Sequence, residues 1–244
     1  EREIRMEGVA AERRLELYKQ LGRLWQSQLD DAMAAQSHWE KAREASEGCD
    51  VEILDALRGL YRENFVLEPL AGVLVEQLES GLYEEDVAIA CWRELAELRT
   101  ESLGDAPGAI EAWSVVLDVE PGDRDAIDNL EQLFETEGRH ADLVGLYRKK
   151  LIFTEDEDDQ VELRLTIATL EADRLADNDS AASTLVEILE IQPANEEADD
   201  NIRIGDREVH NSDAGKEAAF CRSLTEILQV FIISSKKHQM HPQE

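Results

Sequence analysis

Apolar side chains recur every three or four positions through most of the chain, and no segment alternates strictly between apolar and polar residues. The first spacing is that of one face of an α-helix, whereas strict alternation would indicate a β-strand. Only 5 prolines occur among 244 residues, so few points interrupt the helical spacing. The pattern therefore predicts an all-α protein.

The pattern divides into ten helices joined by short connections. The first helix is marked by Leu15, Leu21, Leu24 and Trp25. Asp30 or Asp31 is positioned to cap the second helix, which runs to about residue 46. The other helices are predicted at 50–61, 66–79, 84–101, 106–119, 123–137, 140–153, 158–176 and 179–191. Connections of this length leave no room for a strand, and they place successive helices in antiparallel pairs.

The helices repeat one another at a fixed spacing. The tripeptide Leu29-Asp30-Asp31 returns as Leu103-Gly104-Asp105 and as Leu175-Ala176-Asp177, at offsets of 74 and 72 residues. The positions that keep this register are aliphatic, small or bulky: Leu21, Leu95 and Ile167; Leu24, Leu98 and Leu170; Gly22, Ala96 and Ala168; Ala35, Ala109 and Ala181; Trp39, Trp113 and Leu185. A second register, offset by 73, pairs Leu57 with Leu130, Leu60 with Leu133, Tyr61 with Phe134, Leu70 with Leu143, and Leu78 with Leu151. Each unit of about 73 residues thus contains two helical hairpins, a period typical of solenoids whose stacked hairpins share one core.

One stretch carries the residues of a known repeat. Residues 103–109 read LGDAPGA and are followed by Trp113, Leu117 and Pro121, a spacing that resembles the second half of a tetratricopeptide (TPR) repeat. The first half is matched by Tyr18, Leu21, Gly22 and Trp25, and again by Ile127, Leu130, Phe134, Gly138 and Tyr147. The resemblance covers about residues 12–204, although Arg58 and Glu131 stand where the family carries a small residue. It implies a right-handed superhelical α-α solenoid of about five antiparallel helical hairpins, with a concave face formed mostly by the first helix of each pair.

The repeat register is lost after about Ile202. Beyond it, an amphipathic helix is predicted from Ala218, Ala219, Phe220, Leu224, Ile227, Leu228 and Phe231. Because a solenoid needs a last helix to cover its end, we interpret this segment as a cap rather than as a partner-binding helix. The predicted domains are a TPR-like solenoid over 1–204, and a divergent C-terminal capping helix with a disordered tail over 205–244.

The charge of the chain and the length of its apolar runs argue against two classes of partner. Its 56 acidic and 25 basic side chains give a formal charge of −31, which opposes the binding of a phosphate backbone. The strongest apolar run, around 227–233, is far shorter than the roughly 20 residues that cross a bilayer. We therefore expect neither nucleic acid nor a membrane as partner.

The sequence lacks the common motifs for catalysis and metal binding. It contains no Gly-rich phosphate loop, nucleophile elbow or H-E-x-x-H motif. Cys49, Cys91 and Cys221 are widely separated and odd in number, which favours a reducing, cytoplasmic location over a disulfide framework or a zinc site. His238 and His241 lie on a polar terminus, and the acids of 155–159 lack the glycine of a calcium loop. We expect no enzyme activity, no cofactor and no metal.

Two functions are compatible with this pattern. The first is a non-catalytic protein–protein interaction scaffold that binds a segment of a partner protein or peptide on the concave face. The acidity is compatible with a basic partner, and it is equally compatible with a role in solubility alone. The second is a structural spacer within a longer protein, or a module that forms homo-oligomers through its C-terminal helix. For the first function, the residues between core positions of the first helices should face the groove: Lys19, Arg23, Gln26, Asp55, Arg62, Arg93, Glu97, Asp128, Gln132 and Glu135.

Overall fold

The computed structural model describes residues 11–193, 195, 198, 200 and 201. Within them lie the ten α-helices that the sequence predicts: α1 Ala11–Ser27, α2 Ala32–Ala45, α3 Val51–Glu63, α4 Leu67–Ser80, α5 Glu85–Leu98, α6 Ala106–Val119, α7 Arg124–Thr136, α8 His140–Leu151, α9 Glu157–Asp173 and α10 Asn178–Ile191. A π-helical turn, Arg99–Leu103, continues α5. These described residues contain no β-strand, so the all-α prediction is confirmed.

The chain divides into two compact units, Glu1–Leu133 and Phe134–Glu244, and the boundary falls inside α7. In the first unit, each helix from α1 to α6 packs against the next. In the second unit, α8 packs against α9 and α9 against α10. The short connections within these pairs turn the chain back on itself, which is the TPR-like arrangement of helical hairpins. The capping helix, the tail and the His238–His241 pair lie outside the described residues, so the boundary at 204 stays a prediction, as do the superhelix handedness and the total of five hairpins.

The repeated tripeptide forms the turn between the two helices of a hairpin. Its middle residue is left-handed in all three copies, with φ of 50° at Asp30, 63° at Gly104 and 53° at Ala176. The aspartate that follows accepts a hydrogen bond from a backbone N–H three residues later: Asp31 from Ala34, Asp105 from Gly108 and Asp177 from Ser180. Asp31, and not Asp30, is therefore the cap of α2, since Asp30 supplies the left-handed turn.

Small residues bring the two helices together in the hairpins whose first helix carries Gly22 or Ala96 in the register. Ala96 and Ala109 are fully buried between α5 and α6, beside Trp113, which is 1% exposed. In the first hairpin the contact is closer, because a Cβ added to Gly22 would lie 2.6 Å from Nε1 of Trp39. The bulky aromatic of the second helix thus fills the space that the small residue leaves.

Some register positions are more exposed in α1 than in α5. Leu98 is 8% exposed, whereas its register partner Leu24 is 38% exposed, so the shared register does not give the two leucines the same burial. Leu98 belongs to α5, which packs against both α4 and α6, whereas the main packing partner of α1 is α2 alone.

Candidate functional site

The predicted groove residues lie on α1, α3, α5 and α7, the first helices of the hairpins. Lys19 and Arg93 are half-buried, and the other predicted groove residues are exposed: Arg23, Gln26, Asp55, Arg62, Glu97, Asp128, Gln132 and Glu135. Glu135 belongs to the second unit and the other nine to the first. We call the nine residues of the first unit the first-helix face, and Glu135 is the predicted groove residue of the second unit.

Two cations of this face join α1 to the start of α3. Lys19 Nζ lies 2.5 Å from Asp50 Oδ2 and 3.1 Å from Glu52 Oε2, and Arg23 Nη2 lies 2.5 Å from Glu52 Oε1. Burial by itself raises the pKa of both carboxyl groups. Hydrogen bonds from Lys19 and backbone N–H groups outweigh it at Asp50, and those from Arg23 and Lys19 outweigh it at Glu52, so each pKa lies below its ordinary value. Asp50 also caps α3 by accepting a hydrogen bond from the backbone N–H of Ile53 at 3.3 Å. These ion pairs therefore fix α3 against α1.

Two arginines of α3 make the same kind of link to α5. Arg58 Nη2 lies 2.5 Å from Glu94 Oε2, and Arg62 Nη2 lies 2.6 Å from Glu94 Oε1. Arg58 also donates a hydrogen bond from Nη1 to the Sγ of Cys91, at 3.1 Å. Arg58 is one of the residues that depart from the family pattern. Its guanidinium serves to bridge two neighbouring first helices.

Arg93, on α5, makes a similar link to the connection between α6 and α7. Its guanidinium forms ion pairs with Glu120 and Asp123, which lie between α6 and α7. Asp123 also accepts a hydrogen bond from the backbone N–H of Ala126, in the first turn of α7, at 2.7 Å. The cations of the face thus bind carboxylates of the following hairpin, or of the connection that leads to it, along the first unit.

The acids of the first-helix face have a different environment. Asp55 accepts hydrogen bonds from Gln77 Nε2 at 2.8 Å and from the Tyr83 hydroxyl at 3.0 Å. Within the part of the chain that the structure describes, no ion pair engages Glu97 or Asp128. The cations of this face are therefore paired with neighbouring carboxylates, whereas Glu97 and Asp128 are not paired with any cation of the residues that the structure describes. Among those residues, the unpaired charge of the face is negative.

Glu97 lies among carboxylates. Partial burial raises the pKa of Glu97, and the negative charges of Glu101, Glu94 and Asp125 raise it further, against a smaller opposing effect of Arg93. A carboxyl group whose pKa is raised on folding destabilises the fold while it is ionised. This repulsion is one that a cation from a partner would relieve.

Glu97→Gln should consequently stabilise the protein at pH 7, because it removes one of these like charges. As the pH falls through the raised pKa of Glu97, the wild-type side chain becomes neutral, so the advantage of the variant should disappear. Thermal unfolding of both proteins at pH 7 and in the acid range measures the difference. A variant that is less stable than the wild type at pH 7 would contradict this view of Glu97.

The acidic segment 155–159 contributes a helix cap. Asp156, in the acidic segment 155–159, caps α9 by accepting hydrogen bonds from the backbone N–H groups of Asp158 and Asp159. No group of three metal-ligating side chains occurs in the described ranges. Among the helices described, none has both the length and the apolar character needed to cross a membrane.

The acceptors of the ion pairs are the part of the site that the sequence pattern alone did not identify: Asp50, Glu52, Glu94, Glu120 and Asp123. The signal that could have found them is their spacing. The hydrogen-bonded partners Lys19 and Asp50 are 31 residues apart, Arg62 and Glu94 are 32 apart, and Arg93 and Glu120 are 27 apart. An acid about one hairpin after a cation is therefore a candidate to bind that cation rather than a ligand.

Comparison with known proteins yields structural neighbours only. No protein-family model matches the chain, and a sequence search of curated proteins finds no match. The chain is similar in structure to MamA, with 16% sequence identity and a TM-score of 0.41 over 74% of this chain and 92% of that one. It is also similar to YrrB, a TPR protein with an unusual peptide-binding site, at 14% identity and a TM-score of 0.40 over 78% of this chain and 97% of YrrB. A thermophilic TPR protein of Thermus thermophilus is 16% identical, with a TM-score of 0.30 over 80% and 98% of the two chains.

Proposed function

We propose that the chain is a non-catalytic protein–protein interaction scaffold, and that its first-helix face binds an extended or helical segment of a basic partner. The observation that carries this proposal is the division of charge on the face. Lys19, Arg23, Arg62 and Arg93 are held in ion pairs between hairpins, whereas Glu97 is exposed among other carboxylates.

This division of charge supports a basic partner for a physical reason. A lysine or arginine brought to Glu97 gains the attraction of several carboxylates, and it relieves the repulsion that raises the pKa of Glu97. A cation that is already paired within the fold offers little to an acidic partner, because that partner would first have to displace Glu52, Glu94 or Asp123. Binding along several helices would distribute the affinity over many weak contacts.

The proposal includes a cytoplasmic location. Cys49 is an exposed free thiol and Cys91 a buried one, a condition that a reducing compartment preserves.

The competing function is self-association. Sedimentation of the full chain tests it, because a spacer or a scaffold stays monomeric, whereas a homo-oligomer does not.

Charge reversal tests the proposed face even while the partner is unidentified. The full chain serves as bait in a native extract, as wild type and as the triple variant with Glu97, Asp128 and Glu135 changed to lysine. Captured proteins are quantified by mass spectrometry. Proteins with a basic segment should be retained by the wild type and lost from the triple variant, because the attraction at the face is reversed.

The matched control reverses three exposed acids of the second helices, Glu44, Glu79 and Glu111. It changes the net charge by the same amount as the triple variant, and it should retain the captured proteins. An equal loss from both variants would mean that binding follows net charge alone and would refute the assignment to this face.

A further inference from the structure

Phe65, in the turn between α3 and α4, combines two unfavourable features. Its backbone is left-handed, with φ of 55°, and its side chain is 82% exposed. The residue at the same place in the repeat register is Gly138, with φ of 67°. Glycine adopts this backbone conformation without steric strain, whereas phenylalanine does not. Neither local conformation nor core packing therefore explains a phenylalanine here.

Phe65 is not isolated on this edge of the first unit. Asn64, its neighbour in the chain, donates a hydrogen bond from Nδ2 to Oε1 of Gln36 on α2, at 2.9 Å. Met33 lies one helical turn before Gln36 on the same side of α2, and it is 77% exposed. Leu29, in the preceding α1–α2 turn, is 52% exposed. We call Leu29, Met33 and Phe65 the turn-edge patch.

The charges around this patch indicate what kind of molecule covers it. Four exposed acids lie close to it in sequence, two before α2, one at the end of α3 and one in the first turn of α4: Asp30, Asp31, Glu63 and Glu68. The basic residue of the same segments, Arg62, is bound to Glu94 of α5. A second copy of this chain would bring the same acidic surroundings against the patch, and like charges in contact oppose association. A segment with apolar side chains flanked by lysine or arginine complements both features.

From this complementarity we infer that the turn-edge patch is a second docking surface, separate from the first-helix face, for a basic amphipathic segment of a partner protein. Apolar side chains of the segment contact Phe65 and Met33, and its cations face the surrounding acids. Phenylalanine and methionine are among the residue types that are enriched at protein interfaces relative to the rest of the surface.

The test uses the full chain and a short fluorescent helical peptide with leucines on one face, lysines on the other and a photo-reactive group beside the leucines. Fluorescence anisotropy at physiological ionic strength should show binding, and irradiation should cross-link the peptide to the segments that contain Met33 or Phe65. Two matched peptides, with serine for each leucine or glutamate for each lysine, should bind at least about tenfold more weakly. Equal binding of the serine peptide would refute the inference, because charge alone would then suffice.

Protein variants separate loss of binding from loss of fold. The single variant Phe65→Gly should raise the melting temperature, since glycine suits the left-handed backbone. The double variant Phe65→Gly, Met33→Ser should bind the peptide at least about tenfold more weakly than the wild type. Leu82→Ser is the control, because Leu82 is 57% exposed at the opposite end of α4, and it should leave binding unchanged.

Three results would overturn the inference. The first is undiminished binding by the Phe65→Gly, Met33→Ser double variant, and the second is equal weakening by Leu82→Ser. The third is a dimer of the wild-type chain that dissociates on Phe65→Gly, which would assign the patch to self-association. Reversal of Glu97, Asp128 and Glu135 should leave peptide binding at the turn-edge patch intact. That result would show that the patch and the first-helix face are distinct surfaces, even if no partner binds the first-helix face.

Discussion

Trp113→Ala should lower the free energy of unfolding by about 3–5 kcal/mol, the usual loss when a large aromatic is removed from a core. Trp113 is 1% exposed, and its Nε1–H donates a hydrogen bond to Thr100 Oγ1 at 3.3 Å. The truncation leaves a cavity between α5 and α6 and removes a donor from Thr100. Urea denaturation followed by circular dichroism measures the change.

Leu24→Ala is the matched control for the core assignment. Leu24 occupies an aliphatic position of the same repeat, but it is 38% exposed, so its truncation should cost well under half as much as that of Trp113. Comparable losses at the two sites would mean that the burial pattern of the hairpins is wrong.

Gly22→Ala and Gly59→Ala should change stability in opposite directions, although both glycines lie inside helices. Alanine has the higher helix propensity, worth about 0.5–1 kcal/mol. At Gly22 the new Cβ would lie 2.6 Å from Nε1 and 2.7 Å from Cε2 of Trp39, whereas at Gly59 it would meet nothing within 4 Å. Overpacking of this kind costs about 1–3 kcal/mol, so Gly22→Ala should destabilise the protein and Gly59→Ala should stabilise it.

Thermal unfolding of the two glycine variants gives the signs directly. Stabilisation by Gly22→Ala would show that Trp39 moves aside easily and that close approach of α1 and α2 is not required. Destabilisation by Gly59→Ala would mean that this side of α3 is covered.

The helices and their hairpins were predictable because the signals for them are local and repeated. An aspartate that caps a helix, a left-handed residue before it and a small residue opposite a bulky one recur in every copy, as at Asp105, Gly104 and Ala109. The same tripeptide does not decide whether Asp30 or Asp31 caps α2, since either carboxylate can cap a helix. Backbone conformation decided it, because Asp30 adopts the left-handed turn.

The candidate site was predictable only in part. Sequence spacing placed Arg23 and Arg62 on the first helices, but their pairing with Glu52 and Glu94 depends on side chains a hairpin away. The partners are 27 to 32 residues apart in the pairs Lys19–Asp50, Arg62–Glu94 and Arg93–Glu120, so the pattern within one helix does not identify them. The role of Phe65 was not predictable for a related reason. Its register partner Gly138 suggests a turn, but only the backbone angle and the exposure of the ring reveal the anomaly.

The association rate between the full chain and a captured basic segment, measured by stopped-flow fluorescence at increasing salt, tests the central proposal most directly. Long-range attraction is screened beyond roughly 8 Å at physiological ionic strength, so we expect the rate to fall as salt rises. Reversal of Glu97, Asp128 and Glu135 should lower the rate at low salt and flatten its salt dependence, whereas reversal of Glu44, Glu79 and Glu111 should leave most of that dependence in place. A rate that does not respond to salt, or that responds equally in both variants, would contradict binding at the first-helix face.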